Sequence, residues 1–327
     1  MKFAIIGCGS IGRRHASNFL RLGHEVIAWN RSAERRAAMV QDFGIEVFDD
    51  LETMLKTAGA DAAVICSPNI YHTDHARQAV EAGLHVFVEK PFSHTVEGIN
   101  DLIQQAGCRN LITHVGSNMR FHFGPRSVKK VIDSGQIGTV LRAGFVAAMH
   151  LPDWHPGEDY LKMYSARKDL GGGAVLDFVH EIDLAVWMFG KPDQVAAMLG
   201  YSGTLGIETE DQVDILFGNA PVPTVNLHLD YLEKPFRRSI DVLGDCGWAR
   251  WDLTEGSVKV HQYDAGVTEV YHPPVGYEKN DMYIEQAQYF IDCITYSRSS
   301  MSDFQVAGEV MDVVHRIKNS SETLKFC

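Results

Sequence analysis

The sequence predicts an α/β chain in two parts: a doubly wound parallel sheet over residues 1–119, and an α+β domain on an open, mainly antiparallel sheet over 120–327. Three observations predict it. An apolar run at 3–6 stops at Gly7-Cys8-Gly9-Ser10-Ile11-Gly12, and a helical pattern follows from 13 to 22. Strand and helix patterns then alternate as far as residue 115, which implies parallel strands joined by crossovers. Beyond Asn118 the alternation ends and strand-like segments follow one another, as in an antiparallel sheet.

Taken in order, a strand at 25–29 leads to a helix at 33–42, a short extended piece at 45–48 and a helix at 51–57. An apolar strand at 62–66 stops at Ser67-Pro68-Asn69. The helix at 73–81 ends at Gly83, a usual helix stop. The next strand, 84–88, runs into Glu89-Lys90-Pro91, and a helix at 96–106 and a strand at 111–115 complete the alternation. Ligands bind such sheets beyond the carboxyl ends of the strands. The loops after Ile6, Trp29, Cys66, Val88 and Val115 are therefore expected to share one crevice. In the second part a helix at 125–133 precedes a strand at 140–149 and an irregular aromatic segment at 150–168. Gly171-Gly172-Gly173 then opens a single, strongly apolar helix ending near Gly190. Strands are expected at 194–201, 212–217, 224–231, 238–243, 248–252, 257–262 and 268–271, and helices at 283–296 and 303–318 finish the chain.

Composition excludes several partners. Hydrophobic residues make up 45% of the chain and charged ones 22%, as in ordinary globular proteins. The net charge of −12, without a cluster of Lys or Arg, argues against nucleic acid or an anionic membrane. No apolar stretch is long enough to span a bilayer. The N-terminus has one Lys and then the first strand, so no signal peptide is predicted and a cytoplasmic location is expected. The six cysteines, at 8, 66, 108, 246, 293 and 327, lack metal-like spacing; reduced thiols and no metal site are expected.

The glycine loop between strand and helix has the spacing of a Rossmann dinucleotide site. Gly7 permits the tight turn, Gly9 lets a pyrophosphate approach the backbone, and Gly12 lets helix and strand pack closely. Ser10 and Ile11 begin the helix whose N–H groups face the phosphates. The second strand decides the cofactor. An NAD site usually carries Asp or Glu at its end; here it ends in Asn30-Arg31-Ser32. Asn30 can bond a ribose, Arg31 can pair with a 2′-phosphate and stack on adenine, and Ser32 can donate to phosphate or cap the next helix. NADP(H) is favoured over NAD(H).

The glycine loop, Ser67-Pro68-Asn69 with His72, Glu89-Lys90-Pro91, Asn118, Arg120-Phe121, Gly171-Gly172-Gly173, Asp177, His180 and Asp183 together resemble the glucose–fructose oxidoreductase/inositol dehydrogenase/MocA family. The resemblance covers most of the chain. It implies an NAD(P)-dependent oxidoreductase of sugars, cyclitols and related compounds, and a sheet domain that often mediates oligomers. A homodimer or homotetramer would cover the open sheet face. It also implies a cis Lys90–Pro91 bond. Cys66, Ser67, Pro68, Asn69, His72, Glu89, Lys90 and Asn118 are expected along the cofactor crevice.

Lys90, at the ligand-facing end of an apolar strand, is partly dehydrated and can bind a substrate oxygen and share its proton. Glu89 can hold the ammonium or meet the cofactor. Asp177, His180 and Glu181 fall at i, i+3 and i+4, one stripe of the predicted helix. Buried unpaired, each would cost on the order of 1–3 kcal/mol, so substrate hydroxyls, Lys90 or one another are the expected partners. The family's usual spelling places the His four residues after the Asp; here the spacing is one shorter, and Glu181 holds the fourth position. Lys90, Asp177 and His180 are the catalytic candidates. Arg120 reads as a substrate contact or an interdomain salt bridge. Residues 154–168, with Trp154, Tyr160, Tyr164, Arg167 and Lys168, read as a substrate loop or a packed surface loop. His72 and His75 lack a companion ligand set for a metal. The expected activity is hydride transfer between a nicotinamide and a sugar-like polyol or its keto form. A non-catalytic sugar sensor and a redox-assisted glycoside-cleaving enzyme of the same fold are the alternatives.

Overall fold

A computed structural model describes residues 1–154, 156–218 and 224–320; His155 of the aromatic segment and Cys327 lie outside them. The chain divides into two compact units, Met1–Asn118 with Lys279–Met311, and Met119–Glu278 with Asp312–Cys327. The strands of the first are β1 (Lys2–Ile6), β2 (Glu25–Trp29), β3 (Glu46–Phe48), β4 (Ala62–Ile65), β5 (His85–Val88) and β6 (Thr113–Val115). They lie in the order β3-β2-β1-β4-β5-β6, every neighbouring pair parallel. Helices α1 (Ser10–Arg21), α2 (Ala33–Phe43), α3 (Leu51–Thr57), α4 (His72–Glu81) and α5 (Ile99–Cys108) connect them. Strands buried on both faces need unbroken apolar runs. β1 and β4 supply them, with Phe3, Ile5, Ala62 and Val64 fully buried. The reversal of strand order at β1 and β4 puts the glycine loop and the Ser67-Pro68-Asn69 turn side by side, where such sheets bind ligands.

The second unit begins with α6 (Phe123–Asp133) and β7 (Val140–Ala148), followed by 3-10 turns and the helices α7 (Ala174–Asp177) and α8 (Val179–Phe189). The strands β8 (Gln194–Gly200), β9 (Gln212–Gly218), β10 (Thr224–Asp230), β11 (Arg237–Gly244), β12 (Gly247–Asp252), β13 (Val258–Gln262) and β14 (Val267–Tyr271) come next. The sheet order is β14-β13-β12-β11-β7-β10-β9-β8. It is antiparallel throughout except at its centre, where β7 and β10 run parallel.

Two expectations need correction. The helix after the three glycines is not continuous. Phe178 (φ −93°, ψ 26°) separates α7 from α8, because its ring turns into an aromatic cluster, 5.6 Å from both Trp154 and Tyr231. The stripe expected for Asp177, His180 and Glu181 is broken with it. The domain boundary also moves, since the two last helices, α9 (Asp281–Thr295) and α10 (Phe304–Ser320), do not belong wholly to the second unit. Phe290 of α9 packs against Phe87 and Phe3, with ring centroids 5.6 and 6.5 Å away. The Val115 N–H, just where β6 ends, donates to the Ser302 carbonyl at 2.7 Å. Periodicity predicts these helices, but not which core receives them. No described helix is long and apolar enough to cross a membrane.

Candidate functional site

The glycine loop is built as its spacing requires. Gly7 has φ +106°, and a Cβ there would lie 2.6 Å from the Cys66 carbonyl oxygen. A Cβ on Gly12 would collide with the Gly7 carbonyl, so the first turn of α1 can pack against the loop only with a glycine at this position. Gly9 is different. Its φ is an ordinary −75°, and a Cβ would meet only Arg35 Nη1, at 3.8 Å. Packing gives no reason for glycine at position 9; a ligand lying against the backbone would. Gly9 caps α1 without a side chain, leaving the helix start to an anion.

Beside the loop lies a cleft of about 210 Å³ whose lining includes Gly7, Gly9, Asn30, Arg31, Ser32 and Arg35, and no carboxylate. Asn30 Oδ1 accepts the Cys8 N–H at 3.0 Å, so this side chain fastens the loop to the end of β2. Ser32 Oγ accepts the Arg35 N–H at 3.2 Å. It caps α2 and keeps its own hydroxyl hydrogen for another acceptor. The Arg31 guanidinium stacks over Tyr71 at 4.8 Å. Arg35, which the sequence reading did not single out, lines the cleft as well. Its signal was present: it stands three residues after the Ser32 cap, on the first turn of α2. The positive field is felt at Cys8, whose thiol burial pushes up to about 11 against the opposing pull of Arg35, Arg13 and Arg36.

Cys66, Ser67 and Pro68 complete one wall of the cleft with Tyr71 and His75. His75 Nδ1 bonds Ser67 Oγ at 2.9 Å, and burial pushes its pKa down to about 4. The imidazole is therefore neutral at pH 7. Asn69 is 7% exposed. His72 and Glu89, expected to face the cofactor, are instead buried among loops. His72 Nδ1 lies 2.7 Å from the Pro91 carbonyl and Nε2 2.8 Å from the Ser67 carbonyl, which ties the two turns together. Burial lowers the His72 pKa, while the two carbonyls and Glu89 oppose it. Glu89 Oε1 is 2.6 Å from His15 Nε2 on α1, and its Oε2 accepts the Lys90 N–H at 3.1 Å. Lys90 follows on the same turn, half-buried, and the Lys90–Pro91 bond is cis. Asn118 is 4% exposed, its Nδ2 donating to Met282 Sδ at 3.4 Å; its side chain serves the core of the first unit. Among the described residues no group of three or more His, Cys, Asp or Glu is assembled to hold a metal.

In the second unit the polar side chains of α7 and α8 have separate partners. Asp177 Oδ2 accepts from Tyr231 Oη at 2.6 Å. The Tyr164 hydroxyl is pushed well up by burial, with the Asp177 carboxylate adding to it. Glu181 pairs with Arg238 at 2.8 Å. Asp183 holds Arg120 through two bonds, 2.9 Å to Nε and 2.6 Å to Nη2. Arg120 is 2% exposed, and the pair lies inside the second unit. The geometry thus favours an ion pair over a substrate contact for Arg120, and one internal to its unit rather than interdomain. Buried, bidentate pairs are costly to break from one side. His180 is buried at the start of α8. In the aromatic segment Tyr160 Oη donates to the Leu205 carbonyl at 3.1 Å, and the exposed Arg167 forms a bidentate pair with Asp169.

Comparison with known proteins matches both units. Residues 1–117 match the family model of the Gfo/Idh/MocA oxidoreductases with an NAD-binding Rossmann fold, and residues 126–250 match the Gfo/Idh/MocA C-terminal domain. The chain is 30% identical to inositol 2-dehydrogenase of Pseudomonas savastanoi pv. phaseolicola over 198 residues, 58% of this chain and 54% of that protein. It is 28% identical to D-glucoside 3-dehydrogenase of Escherichia coli K12 over 199 residues, 59% of this chain and 55% of that one. The chain thus spans about half the length of the curated relatives it matches. A solved levoglucosan dehydrogenase, in complex with NADH and levoglucosan, superposes with a TM-score of 0.88 at 19% identity, covering 98% of this chain and 97% of that one; this is a likeness of fold. With both domain models matched in order, on a parallel sheet opened by the glycine loop and a sheet domain carrying Asp177 and His180, the chain belongs to the glucose–fructose oxidoreductase/inositol dehydrogenase/MocA family.

Proposed function

We propose that this protein is a nicotinamide-dependent oxidoreductase that exchanges a hydride with a CH–OH carbon of a sugar-like polyol or its keto form, and that it favours NADP(H) over NAD(H). The observation that carries the reading is Gly9, a glycine that the fold does not need, at the uncapped start of α1 beside a cleft lined by Arg31, Ser32 and Arg35. The family supports the reaction class, and relatives are named for inositol and glucoside dehydrogenation.

In this reading the N-terminus of α1 holds the pyrophosphate, and Arg31, Ser32 and Arg35 take a 2′-phosphate where an NAD site has a carboxylate. When bound, the nicotinamide supplies hydride donation or acceptance. Lys90 binds and polarises the reacting oxygen. His180 gives or takes the hydroxyl proton, a step worth about 10²–10⁴-fold for a positioned group. Asp177, which accepts from Tyr231, orients His180 or binds neighbouring substrate hydroxyls. Tyr160 and Arg167 remain candidates for outer substrate contacts. The sheet of the second unit exposes Met198 and Leu216 on adjacent strands, which supports a homo-oligomer through that face; light scattering measures it.

The test is turnover of a sugar and polyol panel at the nicotinamide absorbance band, together with Kd values for NADPH and NADH. We expect turnover, with tighter NADPH binding. Lys90→Met is expected to lower kcat by about 10²–10⁴-fold while NADPH still binds. Full activity in that variant overturns the role of Lys90; tighter NADH binding overturns the cofactor preference.

A further inference from the structure

His15 has no part in the mechanism above, yet it is fully buried on α1, one turn beyond the glycine loop. Its ring makes edge contacts with both Phe87, at 5.0 Å, and Tyr283, at 6.3 Å. Nε2 lies 2.6 Å from Glu89 Oε1, and Nδ1 has no hydrogen-bond partner. Burying a half-bonded imidazole costs on the order of 1–3 kcal/mol. An apolar residue would fill the same space among Phe87, Phe19 and Tyr283 without that cost, so the bond to Glu89 needs a reason.

The Glu89 carboxylate supplies it, because each of its oxygens is held. His15 holds Oε1 and the Lys90 N–H holds Oε2. The chain at Gly116 passes so close that a Cβ there would lie 2.8 Å from Oε2. The carboxylate is folded back under its own turn, between the helix that carries the glycine loop and the backbone of Lys90. The His72 ring braces the far side of the turn at the Pro91 carbonyl. The Lys90 backbone is thus referenced to α1 through one chain of contacts, His15 to Glu89 to the Lys90 N–H.

We infer that His15 is a positioning residue for Lys90: through Glu89 it sets the turn that presents Lys90 relative to the helix that holds the cofactor's phosphates. This rests on the oxidoreductase reading for its consequence in turnover, but the link itself can be measured without substrate. His15→Leu removes the donor and keeps an apolar filler. His15→Gln returns an N–H at about the reach of Nε2.

Two measurements test it. Hydrogen exchange followed by mass spectrometry on the peptide spanning the Lys90 turn should show faster exchange in His15→Leu and wild-type protection in His15→Gln. In turnover, His15→Leu should lose about tenfold to a hundredfold in kcat, the scale of a misplaced catalytic group. Its KM for NADPH should stay within about twofold, a split that uniform loss of binding would not give. His15→Gln should recover most of kcat. Wild-type exchange and wild-type kcat in His15→Leu overturn the inference. So does a His15→Gln variant as impaired as His15→Leu with an equal drop in Tm, since that marks a residue of the core alone. Should the wild-type protein turn over no sugar, the oxidoreductase reading fails, and the exchange measurement still decides the His15 link.

Discussion

Two glycine-rich loops open helices in this protein, and they have glycines for different reasons. In Gly171-Gly172-Gly173, packing explains the sequence. A Cβ on Gly172 would collide with the Tyr164 carbonyl, and one on Gly173, at φ +113°, with the Glu210 carboxylate. Glu210 in turn accepts the Val175 N–H at 3.2 Å, so a side chain already caps α7. In the loop from Gly7 to Gly12 the two outer glycines are explained the same way and Gly9 is not. The helix behind it has no side-chain cap. The first loop leaves room and hydrogen-bond donors for something outside the chain; the second is closed by the chain's own residues. The GxGxxG spacing already points to a dinucleotide in the sequence, and the neighbours of each Cβ show which of its glycines the packing itself requires.

The difference between the two loops is largest at Gly173. Alanine there must adopt a strained backbone and displace a buried carboxylate, so Gly173→Ala should lose on the order of 2–4 kcal/mol, read as a lower urea midpoint. The protein that remains folded should bind NADPH with an unchanged Kd. Gly9→Ala should behave in the opposite sense. Its urea midpoint should stay at the wild-type value, because only Arg35 is near, while NADPH binding weakens by about tenfold, or 1.4 kcal/mol. Equal stability losses in the two variants would erase the distinction. Substituting the cleft cations sharpens it further. Arg31→Ala and Arg35→Ala should each weaken NADPH by several-fold to about tenfold, within the range for a charged hydrogen bond. NADH, which lacks the 2′-phosphate, should change by less than about twofold on the same scale. Parallel losses for both nucleotides would mean that these arginines do not read the 2′-phosphate.

Much of this was legible in the sequence because it is local. The parallel sheet follows from alternating apolar runs and helical stripes, and the roles of Gly7 and Gly12 follow from the spacing of one turn. What was not legible depends on contacts between distant segments. The apolar run from Ala174 to Phe189 has no breaker in its sequence, and the interruption falls at Phe178, whose ring meets Trp154 and Tyr231. The partners of Asp177, Glu181 and Asp183 are Tyr231, Arg238 and Arg120, none of them within the same helix. Helix α9 has an ordinary amphipathic pattern, and nothing in it says that Phe290 joins Phe3 and Phe87. The central parallel pair β7–β10 is likewise a matter of topology. Glu89 and His72 were expected near the cofactor for a sound reason, since their loops end at the crevice. Their side chains turn inward instead: His72 ties the two loops together, and Glu89 ties its turn to α1.

A third kind of polar cluster, which neither opens a helix nor lines the cleft, sets the scale for these effects. On the outer face of the second sheet, His228 lies between two carboxylates, 3.0 Å from Asp230 and 2.7 Å from Asp214. The hydrogen bond to Asp230, and then that to Asp214, raise its pKa from 6.5 to about 9 against the effect of burial. A raised pKa means that the folded state holds the proton more tightly than the unfolded one. The stabilisation is therefore complete below about pH 6.5 and is lost as pH rises through about 9. In the single chain its size is small, below about 1 kcal/mol, because the ring is more than a third exposed and solvent screens the pair. The Tm of the wild type should exceed that of His228→Gln at pH 6, and the gap should close by pH 10. A gap that widens with pH would mean that the imidazole is held neutral in the fold. NADPH binding should be the same in both proteins across the range. A change there would mean that the outer face communicates with the glycine loop, and that the division between open and closed polar sites is less sharp than the Cβ neighbours suggest.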